Sequence, residues 1–210
     1  DSTLERTSNV KDFDEFKAPY SVVDYTYKQL QKLDFGSWFI EEDPYGTIKD
    51  GIVSVKELKK LGIQRILTLK ELLIFLRDNN THANIEIKDL QDTKFDKIAV
   101  REILKIVDQT DMQNNIIISS FNHNYLKQVY KTNSSIETAA LQEDYHPKDL
   151  INYLKNLHVQ NYNPSFEITD KTLVRRLNKA GFYVNVYTVN EQDDIDKLFK
   201  WKVKSVFTDV

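Results

Sequence analysis

From residue 84 onward, apolar positions fall into short β-rich runs separated by stripes of helical period. The strand-like runs are "NIEIK" (84–88), "NIIISSF" (115–121), "SIETAAL" (135–141), "HVQNYNP" (158–164), "YVNVYTV" (183–189) and "SVFTDV" (205–210). The gaps between them each have room for one helix. "TLKELLIFL" opens with Thr68 and Glu71 in capping-box spacing and repeats Leu69, Leu72, Leu73 and Leu76 at i, i+3, i+4, i+7. "DKIAVREILKIVDQ" sets Ile103, Leu104 and Val107 on one stripe. "NHNYLKQVY" starts on Asn122 as a cap and is expected to bury Leu126, Val129 and Tyr130. "TDKTLVRRLNKAG" opens at Thr169 and closes on Gly181. "NEQDDIDKLFKW" opens at Asn190 with acids in its first turn and is expected to bury Ile195, Leu198 and Phe199.

Strand and helix alternating in this way predict parallel strands joined by crossover helices. An open doubly wound sheet and a TIM-type (β/α)8 barrel both satisfy that rhythm. Polar residues recur at the C-terminal ends of the strands: Glu86 and Lys88, Ser119 and Ser120, Tyr162 and Asn163, Thr188 and Asn190, Thr208 and Asp209. A barrel builds its site at that end of every strand, whereas an open sheet concentrates it at one switch point. No strand is followed by a Gly-rich phosphate loop. The α/β barrel is therefore the expected fold, with a barrel portion over 68–210. Residues 1–67 lack sustained apolar periods. They read as a long ordered excursion, with one short helix from Thr26 closed near Gly36 and with Trp38 and Phe39 as packing aromatics.

Composition narrows the chemistry. The 210 residues carry a net charge of −3, with 40% hydrophobic and 29% charged residues. No basic block is present, which argues against a nucleic-acid partner. The absence of cysteine excludes thiolate nucleophiles, disulfides and cysteine metal sites. No apolar run approaches the ~18 residues of a membrane span. Basic residues are overwhelmingly lysine, a composition in keeping with an AT-rich bacterial genome. Localisation stays open between the cytoplasm and an exported or membrane-associated state reached through a preceding region.

The stretch "NIEIKD" (84–89) puts Glu86 and Lys88 on one strand face and Ile85 and Ile87 on the other. Such a pair either meets water as a plain ion pair or lines a site that holds something ionic. A hard dication takes oxygen ligands, for which Glu86 is suited, and an anion beside it would be offset by the Lys88 ammonium.

"DSTLERT", "YKQLQKLDFGSWF", "RILTLKELLIFL", "NIEIK", "SSFNHNYLKQV" and "LNKAGFYVNVYTVNEQDDIDKLFKWKVKSVFTDV", in this order, resemble the glycerophosphodiester phosphodiesterase family over essentially the whole chain. The resemblance implies a (β/α)8 barrel. It also implies hydrolysis of a glycerophosphodiester to glycerol 3-phosphate and an alcohol, with a divalent cation, Ca2+ or Mg2+, as cofactor. It assigns Glu86 to the metal, Lys88 to the substrate phosphate, and Phe121 and Tyr187 to the pocket wall, Tyr187 standing where the family usually has Trp. The family's His-Arg and Glu-x-Asp strands and its second His, followed by an Asp aligned with Asp1, lie upstream of this chain. The catalytic histidines are thus expected outside it. About six of the eight strands are expected within it, with the family's insertion segment at its start. The chain alone is expected to be impaired, and a missing N-terminal fragment or self-association is expected to complete the barrel.

Other candidates read as structural. His123 belongs to the first turn of a helix. His82, His146 and His158 lack metal-ligand spacing. Asp1 and Glu5 read as loop residues, Asp209 as a brace at the last strand end, and Ser119 and Ser120 lack a nucleophile elbow. Trp38 and Phe39 divide evenly between capping the pocket and anchoring the excursion. Two alternatives remain: a non-catalytic barrel that binds a lipid headgroup or partner protein, and a related barrel acting on lysophospholipids or sphingomyelin.

Overall fold

The computed structural model describes residues 3–209. They separate into two compact units, divided between Thr68 and Leu69.

The first unit is built from short pieces: α1 (Tyr27–Leu30), α2 (Trp38–Glu42) and α3 (Val55–Leu61), with 3-10 turns at Val10–Asp12 and Val22–Asp24. Thr26 caps α1 in a full capping box with Gln29. A small core of Leu4, Val10, Phe16, Leu30 and Leu33 holds the unit together. Asp34 fastens its middle by accepting hydrogen bonds from the Gly36, Ser37 and Gln64 amides and the Ser37 hydroxyl. Burial alone would raise the Asp34 pKa, but these four donors outweigh it and hold the carboxyl below its ordinary range. Trp38 donates its indole N–H to the Phe35 carbonyl at 3.0 Å and meets Phe39 edge to face.

The second unit places a strand in each of the six predicted runs: β1 (Ala83–Glu86), β2 (Ile116–Ser120), β3 (Glu137–Gln142), β4 (Asn161–Pro164), β5 (Tyr183–Val186) and β6 (Ser205–Val206). The last run is shorter than expected, and Val210 lies outside the described residues. All neighbouring strands are parallel, and their spatial order is their chain order. An order that never reverses has no switch point, so the doubly wound alternative is excluded and the sheet is a wall of six consecutive β/α units of a barrel.

The helices between the strands are α4 (Leu69–Asp78), which precedes β1, then α5 (Ala99–Gln109), α6 (His123–Thr132), α7 (Leu150–Leu157), α8 (Lys171–Lys179) and α9 (Gln192–Trp201). The core lies between their inner stripes and one face of the sheet. Ile87, Ile118, Ala140, Tyr162, Val184 and Val186 meet Leu104, Leu126, Leu154, Leu177 and Leu198 there. Fully burying such a side chain is worth about 1.5–3 kcal/mol.

Several local expectations shift. In α6 the buried aromatic is Tyr125, with Tyr130 only half-buried; the Tyr125 hydroxyl donates to Asp96 at 2.6 Å and accepts from the Leu90 amide. Asp170, one residue after Thr169, caps α8 by accepting from the Leu173 amide at 2.7 Å. Asn190 does not cap α9: its side-chain oxygen accepts from the Asp209 amide instead. Phe199 is exposed while Leu198 is buried. Gly181, at φ +88°, does occupy the left-handed position that ends α8.

Candidate active site

The other face of the sheet carries the chemistry. Strand register sets Glu86 beside Ser119, Ser119 beside Ala139 and Ala139 beside Asn161. The lower part of this face is an amide network. Asn185 donates to Asn161 at 3.3 Å and to Asn163 at 2.9 Å, Asn161 donates toward Glu137, and Ser205 donates to Asn185. Asn161, Asn163 and Asn185 are all buried.

At the C-terminal ends of the strands the face opens into a cleft of about 370 Å³. Glu86, Ser119 and Leu141 come from β1, β2 and β3, and Lys88, Phe121, Glu143 and Tyr187 from the residues just after β1, β2, β3 and β5. Lys88 Nζ lies 2.8 Å from Glu86 Oε1, which is buried yet accepts no hydrogen bond, so the contact is an ion pair without hydrogen-bond alignment. Phe121 and Tyr187 form one wall, their rings perpendicular with centroids 6.1 Å apart. Tyr187 is fixed by donating its hydroxyl to the Gln142 carbonyl at 3.0 Å. Partial burial raises the pKa of that hydroxyl, and the carboxylates of Glu143, Glu86 and Asp144 raise it further.

Whether these residues fit a divalent cation is a matter of donor chemistry. Glu86 offers a carboxylate oxygen with a free lone pair, the right kind of ligand. Among the described residues, however, no three His, Asp or Glu side chains converge. Since Ca2+ and Mg2+ take about six or more oxygen ligands, the described residues could supply at most part of such a site.

A family model described as the glycerophosphoryl diester phosphodiesterase family matches residues 1–210. The chain belongs to that family. A glycerophosphodiester phosphodiesterase of Bacillus altitudinis is 27% identical over 214 aligned positions, which cover 100% of this chain and 75% of that protein. Among solved structures, an Oleispira antarctica phosphodiesterase in complex with the product sn-glycerol-3-phosphate superposes with a TM-score of 0.77 at 20% identity, covering 100% of this chain and 73% of that one. A Parabacteroides distasonis glycerophosphodiester phosphodiesterase gives a TM-score of 0.70 at 16% identity, covering 93% and 71%. These structural likenesses carry the barrel fold.

In this glycerophosphoryl diester phosphodiesterase chain all four predicted site residues, Glu86, Lys88, Phe121 and Tyr187, line one cleft. The histidines do not. His123 opens α6, with Nε2 at 2.9 Å from the Leu141 carbonyl and Nδ1 at 2.6 Å from the Tyr153 hydroxyl. A carbonyl only accepts, so Nε2 carries the proton and Nδ1 accepts from Tyr153. Burial, aided by Lys127, holds the His123 pKa below its usual value even though the Leu141 bond opposes this. His146 makes the same kind of clamp to Tyr162 and the Ile168 carbonyl. Of the polar strand ends, Ser120 and Tyr162 turn away from the cleft: Ser120 donates to the Ile87 carbonyl, and Tyr162 packs in the helix-facing core. Ser119 accepts from Asn84, Glu5 is an exposed loop residue, and Asp1 lies outside the described residues. Asp209 is exposed and braced to Asn190. The one cleft carboxylate absent from the sequence reading is Glu143. It lies two residues past the predicted end of the third strand, and continuing that strand's inward period from Leu141 would have found it.

Proposed function

We propose that the complete domain hydrolyses glycerophosphodiesters to glycerol 3-phosphate and an alcohol with the help of a divalent cation, Ca2+ or Mg2+, and that this cleft is the phosphate-binding part of its site. The observation that carries the reading is the Glu86–Lys88 pair at the barrel mouth, 2.8 Å apart, in a cleft walled by Phe121 and Tyr187. Family membership supports the reaction class. Glu86 would be one oxygen ligand of the cation, which when bound polarises a phosphoryl oxygen. Lys88 offsets the charge of the diester and of the developing transition state. Phe121 and Tyr187 shield the scissile region from water and orient the substrate. None of the four histidines lines the cleft, so the reading takes the acid–base pair from outside these residues and expects the 210-residue chain alone to turn over poorly. Strands β1 and β6 end the described sheet. Their outer edges need cover, from preceding strands or from a second copy.

The test is Glu86→Gln in the complete protein, assayed for glycerol 3-phosphate release with and without a chelator. Loss of cation-dependent turnover is expected, and ordinary turnover by the variant would refute the assignment. The non-catalytic alternative predicts no release by the complete protein under any cation.

A further inference from the structure

We infer that the outer groove between α8 and α9 docks the protein on an anionic lipid surface, with its cations on the headgroups and Phe199 in the apolar layer. The groove shares no residue with the strand-end cleft and holds whatever that cleft does. Its volume is about 440 Å³. Five of its lining residues are cations: Lys171, Arg175 and Lys179 from α8, Lys200 from α9, and Lys202 just past it. None is an acid, in a chain whose net charge is −3. The cations are scattered along the sequence, and the packing of α8 against α9 gathers them. Helix stability does not account for the cluster. Lys171, Arg175 and Lys179 stand at i, i+4 and i+8, so like charges line one stripe, which destabilises a helix. Lys171 opens α8 at the positive end of the helix dipole, where an acid would be favoured and a cation is not. Lys179 and Lys200 do gain from the dipole in the closing turns of their helices, but they gain nothing from being set together. A surface that concentrates like charge against its own stability favours an anionic partner that relieves the repulsion.

The rim of the groove indicates which anion fits. Asn178 and Lys202 also border a second hollow, where Phe199 is 49% and Tyr183 48% exposed. Lys204 Nζ lies 5.2 Å from the centre of the Tyr183 ring. Phe199 has no polar atom to offer water, and its neighbour Leu198 already fills the core position. A bilayer interface supplies what both halves of this rim lack. Its anionic headgroups take the lysines, its apolar layer takes the Phe199 ring, and the boundary between them suits a tyrosine. Four of the five groove cations are lysines, compact charges on flexible stems that suit a diffuse, laterally mobile layer of charge. Forked recognition of one fixed phosphate would call for arginine instead.

The test is sedimentation of the complete protein with vesicles. Phosphatidylcholine vesicles carrying about 30 mol % phosphatidylglycerol are compared with phosphatidylcholine alone, at low and at high sodium chloride. Binding to the anionic vesicles is expected, with little to the neutral ones and with release by salt. Each cation near such a surface is worth about a fivefold gain in affinity, so Lys200→Gln with Lys202→Gln should bind about 25-fold more weakly. Arg175→Gln with Lys179→Gln should do the same from the other helix. Phe199→Ser should weaken binding about tenfold and leave its salt dependence unchanged. Lys59→Gln with Lys60→Gln, exposed lysines of the first unit, should bind like the parent. All these variants should turn over a soluble glycerophosphodiester at the parent's rate, which keeps docking separate from the chemistry of the cleft. Failure of the parent to sediment, equal binding to neutral vesicles, or parent-like binding by both groove variants would overturn the inference. Equal loss in the Lys59 and Lys60 pair would overturn it too, by making the attraction one of bulk charge. Capture of a DNA duplex in preference to the anionic vesicles would assign the groove to nucleic acid instead.

Discussion

Replacing Lys88 by Met separates a working site from an ordinary surface ion pair, because the two roles differ in magnitude by design. The Lys88 side chain is 49% exposed and that of Glu86 29%. Water screens a pair this open, so its worth to folding is about 0–1 kcal/mol. Met keeps the length of the stem and its packing. For a chain of this size, 1 kcal/mol moves Tm by about 2–4 °C, so the variant should melt within that range of the parent. The kinetic expectation is far larger. A preorganised charge aimed at a developing oxyanion is typically worth about 10²–10³ in rate, or about 2.7–4 kcal/mol. The assay is kcat/KM for a glycerophosphodiester by the complete protein, beside a thermal melt of the same preparation. A melting point lowered by much more than 4 °C with turnover reduced less than about fivefold would refute the reasoning, since it would make the pair a structural brace.

Two further outcomes concern the frame around the cleft. The pKa of His123 is depressed in the folded state, so the unfolded chain binds the proton more readily. Stability should therefore be full above the unfolded value of about 6.5 and fall as pH drops toward the lower folded value. Urea unfolding at pH 7.5 and 5.5 should show that loss in the parent and a smaller loss in His123→Gln; equal losses would sink the idea. Tyr125→Phe removes a hydroxyl that bridges Asp96 and the Leu90 amide inside the core, so it should cost about 1–3 kcal/mol in the same measurement, and a cost near zero would count against the bridge.

How much of this was legible in the sequence depended on whether a residue's neighbours in the chain are also its neighbours in the fold. The six strands were visible because each is an apolar run between helical stripes, and Glu86, Lys88, Phe121 and Tyr187 were found because they sit on or just past those runs. Helix α7 was not drawn, although Leu150, Leu154 and Leu157 mark its buried stripe. It is only eight residues long, and its cap Asp149 sits at φ +51° with no capping hydrogen bond, so the usual start signal is missing. Thr169 and Asp170 are both capping residue types, and only the geometry of the Leu173 amide chooses between them. Tyr125 and Tyr130 lie five residues apart on one short helix, and Asp96, which accepts from the Tyr125 hydroxyl, is distant in sequence. His123 and His146 read as structural, but the clamps they make were not visible, because their partners, a carbonyl and a tyrosine each, come from separate elements. The first unit gave the least, because its short helices are held by contacts such as those of Asp34 that leave no period in the chain.

The amides of Asn161, Asn163 and Asn185 have a consequence for how the protein meets changing surroundings. Side-chain amides neither gain nor lose a proton, so the middle of the wall has the same charge in acid, in base and at any salt concentration. The charged groups of the cleft, Glu86, Lys88 and Glu143, stand at the rim, and Glu137 lies at the opposite end of the strands, where Asn161 donates to it. The cleft is in this respect a charged lip on a neutral cup. A designer could rewrite the lip to suit another alcohol and leave the cup, and the fold that depends on it, untouched.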